Sequence, residues 1–253
     1  MITTIIYEGS WLSFLTVVFE VYERKLGAVN IVKNNKAQIN IFGVPLVTGS
    51  DPMKAKRVMQ GLKAKLSTEG LKNLYSCYLS EFDGIENDIL CFIRLVFENE
   101  KSVETAYGYP EVLKLSKIGR MVYREKHRME AFVRFQLTQD DIYYSSIEPD
   151  FNVIPLITNH FKKRYADQKW IIYDIKREYG IYYDLVEVNE ISFDFKNSYP
   201  SVKDEKVFKD DEILYQVLWK DYFKHINIAS RKNTKLHLKH VPKRYWKNLV
   251  EKL

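Results

Sequence analysis

The strongest constraint on this chain is a change in the spacing of its apolar residues near position 128. Before it, apolar side chains recur every three or four positions, the repeat of a helix with one buried face. Leu12, Leu15, Phe19 and Tyr22 share a face over residues 11–25, behind an N-cap at Ser10, with Gly27 as the expected stop. Asp51 and Pro52 open a second helix, Ser67 and Asp83 begin two more, and residues 109–127 form another. Short strands are expected at 3–7, 28–32 and 37–42. After position 128 the repeat becomes two, rich in Tyr, Phe, Ile and Val, over 129–137, 142–147, 169–175 and 180–188, with a helix at 153–165.

This order predicts an α+β fold. Its core is strand, strand, helix, strand, strand in an antiparallel sheet, with a helical N-terminal half and a basic helical C-terminal tail. It is read as a single domain over 1–253, with a helical subregion at 50–128 and a sheet region at 129–195. Residues 197–209 read as a loop. A helix at 211–223 should turn Leu214, Val217 and Leu218 inward, and a short helix is expected at 242–250. The opening residues lack a basic region and a small-residue cleavage site, and residues 11–21 are too short and polar to span a bilayer. Cys77 and Cys91 lie in apolar helical patterns, so both are expected buried in a reducing compartment, the cytoplasm, with no membrane partner.

Charge is distributed unevenly. Of the net +6, the first 223 residues contribute −2, from 30 basic and 32 acidic groups, while residues 224–253 carry nine Lys or Arg against Glu251 alone, a balance of +8. Such a cluster attracts phosphate. Within 109–127, Lys114, Lys117, Arg120 and Arg124 are spaced three, three and four apart and fall within about one third of the helix circumference. Val112, Leu115, Ile118 and Val122 occupy the other side. Aromatic rings alternate with cations at 132–135, 161–165 and 243–247, the pairing that single-stranded nucleic acid uses for bases and phosphates.

Signals for enzyme chemistry are fewer. The 10 glycines form no phosphate-binding loop, and the cysteines form no zinc or iron–sulfur pattern, so no cofactor and no metal are expected. His237 and His240 belong to the basic tail. Asp140, Asp141, Glu148 and Asp150 are acids beside strands, and Asp150 is placed to cap the 153–165 helix. His160 and Arg164 share a helix face, and Asp174 and Arg177 end the next strand. Together these four are either a site, with His160 and Asp174 as catalytic candidates, or a buried ion-pair network.

Three stretches carry a resemblance. They are Tyr7–Glu8–Gly9–Ser10–Trp11 leading into 19–25, then Glu148–Pro149–Asp150–Phe151–Asn152 with His160, Arg164, Trp170 and Asp174, then 228–233 with Pro242–Lys243–Arg244–Tyr245–Trp246. Together they resemble, over nearly the whole chain, a bacterial family of DNA-repair or DNA-metabolism proteins of unknown biochemical function. The resemblance implies a neighbouring radical S-adenosylmethionine protein of DNA modification or repair, and longer members that carry a uracil-DNA glycosylase domain. Chemistry of either kind would then belong to a partner. The leading expectation is a DNA-binding accessory protein, its ligand single-stranded or damaged DNA. Its contacts would be Lys114, Lys117, Arg120, Arg124, Arg164, Arg177, Arg231, Lys232, Lys243 and Arg244, with Tyr245 or Trp246 stacking on a base. The alternatives are a DNA-processing enzyme centred on His160, Arg164, Asp174 and Arg177, and an interaction module for the radical enzyme.

Overall fold

A computed structural model describes residues 2–36, 45–192, 208, 212, 215, 217, 218 and 238–252. The chain forms two compact units, Met1–Tyr123 and Arg124–Leu253. The fold is α+β.

In the first unit, strand β1 (Thr3–Tyr7) lies between β2 (Val29–Lys33) and β3 (Leu46–Thr48), and both pairings are parallel. Parallel neighbours need a crossover, and helix α1 (Trp11–Glu23) supplies the one from β1 to β2. The Ser10 side chain accepts the Ser13 N–H at 3.1 Å and starts that helix. Its end comes earlier than Gly27. Lys25 takes the left-handed turn at φ 54°, and the Leu26 N–H reaches back to the Val21 carbonyl at 2.9 Å. Helix α2 (Pro52–Lys65) packs on α1 with Ala55, Val58 and Leu62 inward, capped by the Asp51 carboxylate. Helices α3 (Thr68–Tyr78) and α4 (Ile85–Glu98) follow, then α5 (Pro110–Phe132), whose residues from Arg124 onward belong to the second unit. The core gathers Ile5, Phe14, Val17, Val18, Leu62, Ile85, Ile89 and Ile93, all fully enclosed. Cys77 is buried and donates to the Leu115 carbonyl, and burial pushes its thiol up to about 12. Cys91 departs from expectation: it is exposed, on the outer side of α4. The strand expected at 37–42 falls outside the described residues.

The second unit holds a five-stranded sheet in sequence order, made of β4 (Gln136–Leu137), β5 (Tyr143–Ile147), β6 (Trp170–Asp174), β7 (Tyr179–Tyr183) and β8 (Val188–Ile191). The expected antiparallel sheet is corrected to a mixed one. The pair β5–β6 is parallel because α6 (Ile154–Arg164) carries the chain back before β6 starts, while the other three pairs are antiparallel. Two strand boundaries also change. Residues 129–132 continue α5, because Met129 and Val133 extend its buried stripe. Residues 180–188 split into β7 and β8 where the Asp184 carboxylate accepts the Val186 and Glu187 N–H groups, each at 2.8 Å. Gly180 is required at its place, since a Cβ there would sit 2.6 Å from the Ile172 carbonyl oxygen across the ladder.

The core of this unit centres on Trp170, Ile172 and Tyr173, with Ile157 and Phe161 of α6 over the sheet. Of the helix expected at 211–223, Val217 and Leu218 are 56% and 55% exposed rather than inward, and Leu214 lies outside the described residues. Among the described residues no helix is long and apolar enough to cross a membrane.

Candidate functional site

Helix α5 buries Val122 at 0%, Glu125 at 1% and Met129 at 2% exposure, so a carboxylate occupies a position where the helical repeat calls for an apolar side chain. A buried charge is strongly unfavourable unless paired and hydrogen-bonded. Glu125 is both. Its Oε1 accepts the Asp150 backbone N–H at 2.9 Å, and its Oε2 accepts Arg244 Nη2 at 3.0 Å and the Tyr245 hydroxyl. Arg128 Nη1 stands 3.7 Å away. Tyr245 is itself buried, beside Phe132 at 5.4 Å and beneath the Arg244 guanidinium at 4.6 Å. Burial, then the bond to Glu125, raises its phenol far above the ordinary tyrosine range.

Arg244 has a second branch, with Nη1 2.8 Å from Asp150 Oδ2 at the surface. One guanidinium therefore joins an interior carboxylate to an exterior one. Lys247 adds an ion pair with Glu148 on the same loop. The result fastens the C-terminal 3₁₀ helix Lys243–Asn248 onto α5 and loop 148–152.

The same loop is held from the sheet side. Asp174 ends β6 fully enclosed. Its Oδ1 accepts the Lys176 and Arg177 N–H groups at 3.0 and 3.3 Å, and its Oδ2 accepts Arg177 Nη1 at 2.8 Å. Burial holds its carboxyl above the ordinary carboxylate range despite Arg177. Arg177 also donates to the Pro149 carbonyl at 3.2 Å and the Asp150 carbonyl at 3.0 Å, and Lys176 Nζ reaches the latter at 3.3 Å. The Tyr179 hydroxyl donates to Asn152 Oδ1. Loop 148–152 is thus the meeting point of α5, the β6–β7 turn and the C-terminal segment. Chemically it is a set of matched charges, with Arg177 on Asp174, Arg244 on Glu125 and Asp150, and Lys247 on Glu148.

The residues expected to form a site divide accordingly. Asp174 and Arg177 meet as anticipated. His160 turns instead to Glu130, with Nδ1 3.5 Å from Oε1, and stands edge-on to Phe161 at 5.1 Å. Arg164 lies exposed over the Tyr165 ring at 5.7 Å. Both share a face of α6, as their spacing requires, but His160 meets Glu130 of α5 and Arg164 stays exposed, away from Asp174 and Arg177 at the end of β6. Asp150 does not cap α6. The N-cap is Val153, without a side-chain bond, because Asp150 is directed to Arg244.

On α5, Lys114 forms an ion pair with Asp88 at 2.6 Å, Lys117 and Arg120 are exposed, and Arg124, also exposed, opens the second unit. Lys243 is exposed. Trp246 is half-buried, its Nε1 donating to the Val241 carbonyl at 3.1 Å, with Lys252 5.3 Å from its ring. The burial of Tyr245 removes it as a base-stacking ring. Arg231 and Lys232 lie outside the described residues. Asp140 and Asp141 are exposed in the β4–β5 turn, where Asp141 has φ 59°. Among the described residues no group of His, Cys, Asp and Glu is placed to hold a metal ion.

Two features were missed from the sequence. One is Glu125, whose signal was an acid on the inward side of the α5 repeat. The other is α2, which carries Lys54, Lys56, Arg57, Lys63 and Lys65 and no acid.

A family model described as a domain of unknown function, DUF4130, matches residues 83–251. Residues 1–82, with β1 to β3 and α1 to α3, precede the match. No curated protein matches. A solved structure titled as a pGpG-specific phosphodiesterase, PggH from Vibrio cholerae, aligns over 71% of this chain and 80% of that one, with a TM-score of 0.32 and 8% identity. A likeness at that level carries no argument.

Proposed function

The chain belongs to the DUF4130 family, a domain of unknown function, and from its geometry we propose that it binds nucleic acid through an anchored basic C-terminal segment. One observation carries this reading. The Lys243–Asn248 helix, within the most basic stretch of the chain, is fastened by Arg244 and Tyr245 to the buried Glu125, and Lys239, His240 and Lys243 remain exposed around it. Cations on a fixed base lose less conformational freedom on meeting phosphate than cations on a free tail. Arg244, Arg177 and Tyr245 act here as anchors. Lys243 is the tail's contact, and exposed Lys117, Arg120, Arg124 and Arg164 are further candidates for the backbone.

In this reading the protein is an accessory factor in the cytoplasm, and the chemistry lies with a partner. The resemblance to DNA-metabolism proteins makes DNA the first ligand to test and a radical S-adenosylmethionine enzyme the first partner. The test is a binding series with single-stranded, duplex and lesion-bearing oligonucleotides across salt concentrations. Neutralising about five phosphates gives a log–log slope of roughly −4 to −5 on duplex. If micromolar protein at low salt retards no oligonucleotide, the reading fails.

A further inference from the structure

We propose that the outward face of α2, with Lys56, Arg57, Gln60 and Lys63, is a second binding surface, for single-stranded nucleic acid, carried by the first unit. Helix α2 carries five cations and no acid over Pro52–Lys65. Two of them are used inside the fold. Lys54 pairs with the buried Glu20 and with Glu23, and Lys65 Nζ donates to the Asn99 carbonyl at 2.8 Å. Lys56, Arg57 and Lys63 are exposed. They extend over eight residues, about 10 Å of helix axis.

The shape selects the partner. Beside these cations lies a groove of about 460 Å³ lined by Phe19, Met53, Lys54, Lys56, Arg57 and Gln60. Met53 is 75% exposed, and the Arg57 guanidinium lies 5.7 Å from the Phe19 ring. A membrane-surface helix turns its apolar face outward. Here Ala55, Val58 and Leu62 face the core, and the apolar surface left outside is confined to Met53 and the half-buried Phe19 among Lys54, Lys56 and Arg57. A single strand fits this arrangement: its phosphates meet the cations while an unpaired base or sugar enters the groove against Met53 and the aromatic ring. A duplex keeps its base faces stacked and offers only phosphate. The inference takes the class of ligand from the preceding reading, but its residues lie outside the C-terminal segment and outside the family match.

The experiment uses the full chain and a fluorescent oligothymidylate, with anisotropy read across a salt series. The triple variant Lys56→Glu, Arg57→Glu, Lys63→Glu should bind more weakly, with the log–log slope reduced by about 2, as expected for three phosphate contacts on a single strand. The three Gln substitutions should give the same loss of slope, and they replace the Glu set if that set melts lower than the parent. The parent chain should prefer the single strand to a duplex of the same length. A parent that binds while both variants keep its slope overturns this inference and leaves the C-terminal reading standing. Binding of anionic phospholipid vesicles or polyglutamate through these residues, with oligothymidylate unaffected, also overturns it. A parent that binds no oligonucleotide overturns both.

Discussion

Helix α2 and the C-terminal 3₁₀ helix are the two most basic segments the structure describes, and they spend their cations differently. At the C-terminal helix, Arg244 and Lys247 meet Glu125, Asp150 and Glu148. On α2, Lys56, Arg57 and Lys63 face solvent, and the internal pairing is left to Lys54 and Lys65. Acid-free runs of cations therefore serve different uses in the two segments. What separates them is where the carboxylates lie. Glu125 sits inside the fold and draws Arg244 down to it, while the nearest buried acid to α2, Glu20, engages only Lys54 of that helix. A run of cations is a ligand surface to the extent that the fold does not already answer it.

The comparison breaks most visibly at Glu125. Glu125→Ala leaves the Tyr245 hydroxyl and the Asp150 N–H without their acceptor while Arg244 keeps Asp150, and should cost about 1–3 kcal/mol for each donor stranded, read by chemical denaturation. Tyr245→Phe removes one hydrogen bond to a charged group and should cost about 1.5–3 kcal/mol. If Glu125→Ala unfolds at the parent's denaturant midpoint, the C-terminal helix is not held by this carboxylate, and its cations return to the pool of candidate contacts.

A second contrast concerns pH. Glu20 and Asp174 are both buried acids with a cationic partner, yet their protonation is pushed in opposite directions. The bond from Lys54, then that from Arg24, outweighs burial and holds Glu20 below the ordinary range. At Asp174 burial outweighs Arg177 and holds the carboxyl above it. The difference is depth. Arg24 and Lys54 are 51% and 31% exposed, so that pair keeps contact with water, whereas Arg177 and Asp174 are 9% and 0% exposed.

The signs follow from linkage. Stability from Glu20 is present above its unfolded value and is lost as pH falls through its lowered folded value. Asp174 in the folded state favours the proton, so its contribution weakens as pH rises from its unfolded value through its raised folded one. Glu20→Gln should therefore flatten the loss of stability on acidification. Asp174→Asn should remove a decline on the alkaline side of the ordinary carboxylate range. Denaturation midpoints from pH 3 to 7 check both, and equal slopes in Asp174→Asn and parent would sink the Asp174 half.

Much of the fold was legible from spacing. The inward positions Val112, Leu115, Ile118 and Val122 of α5 are buried as their repeat demanded. Legibility failed where a position and its residue type disagreed, or where the partner came from elsewhere in the chain. Glu125 satisfies the repeat but not the chemistry, and an acid is readily assigned outward when its partners are 119 and 120 residues away. Spacing placed His160 and Arg164 together on α6, but could not say that His160 meets Glu130 instead of Asp174. The alternation at 180–188 hid a turn because Asp184 supplies the bonds that a Gly would ordinarily announce. The parallel β5–β6 pair follows from the intervening helix, whose position at 153–165 is legible in the sequence.

The smallest expected effect on stability is also the finest test of the division between anchor and contact, because it compares adjacent residues. Lys243 is exposed, while Arg244 spans the interior and the surface. Lys243→Ala should leave the denaturation midpoint within experimental scatter and reduce the log–log salt slope of DNA binding by about 1, the signature of one lost phosphate contact. Arg244→Ala should lower the midpoint, costing about 2 kcal/mol through the charged hydrogen bond it withdraws from Glu125. It should weaken binding only through the loosened helix, so stabilising the fold by lowering temperature should restore much of it. If Lys243→Ala destabilises as much as Arg244→Ala, the two residues share one structural role. If Arg244→Ala loses slope without loss of stability, Arg244 is a contact and the clasp is not its purpose. Only an unequal result, with stability moving at 244 and salt dependence at 243, agrees with a basic segment whose charges are divided between holding itself in place and meeting phosphate.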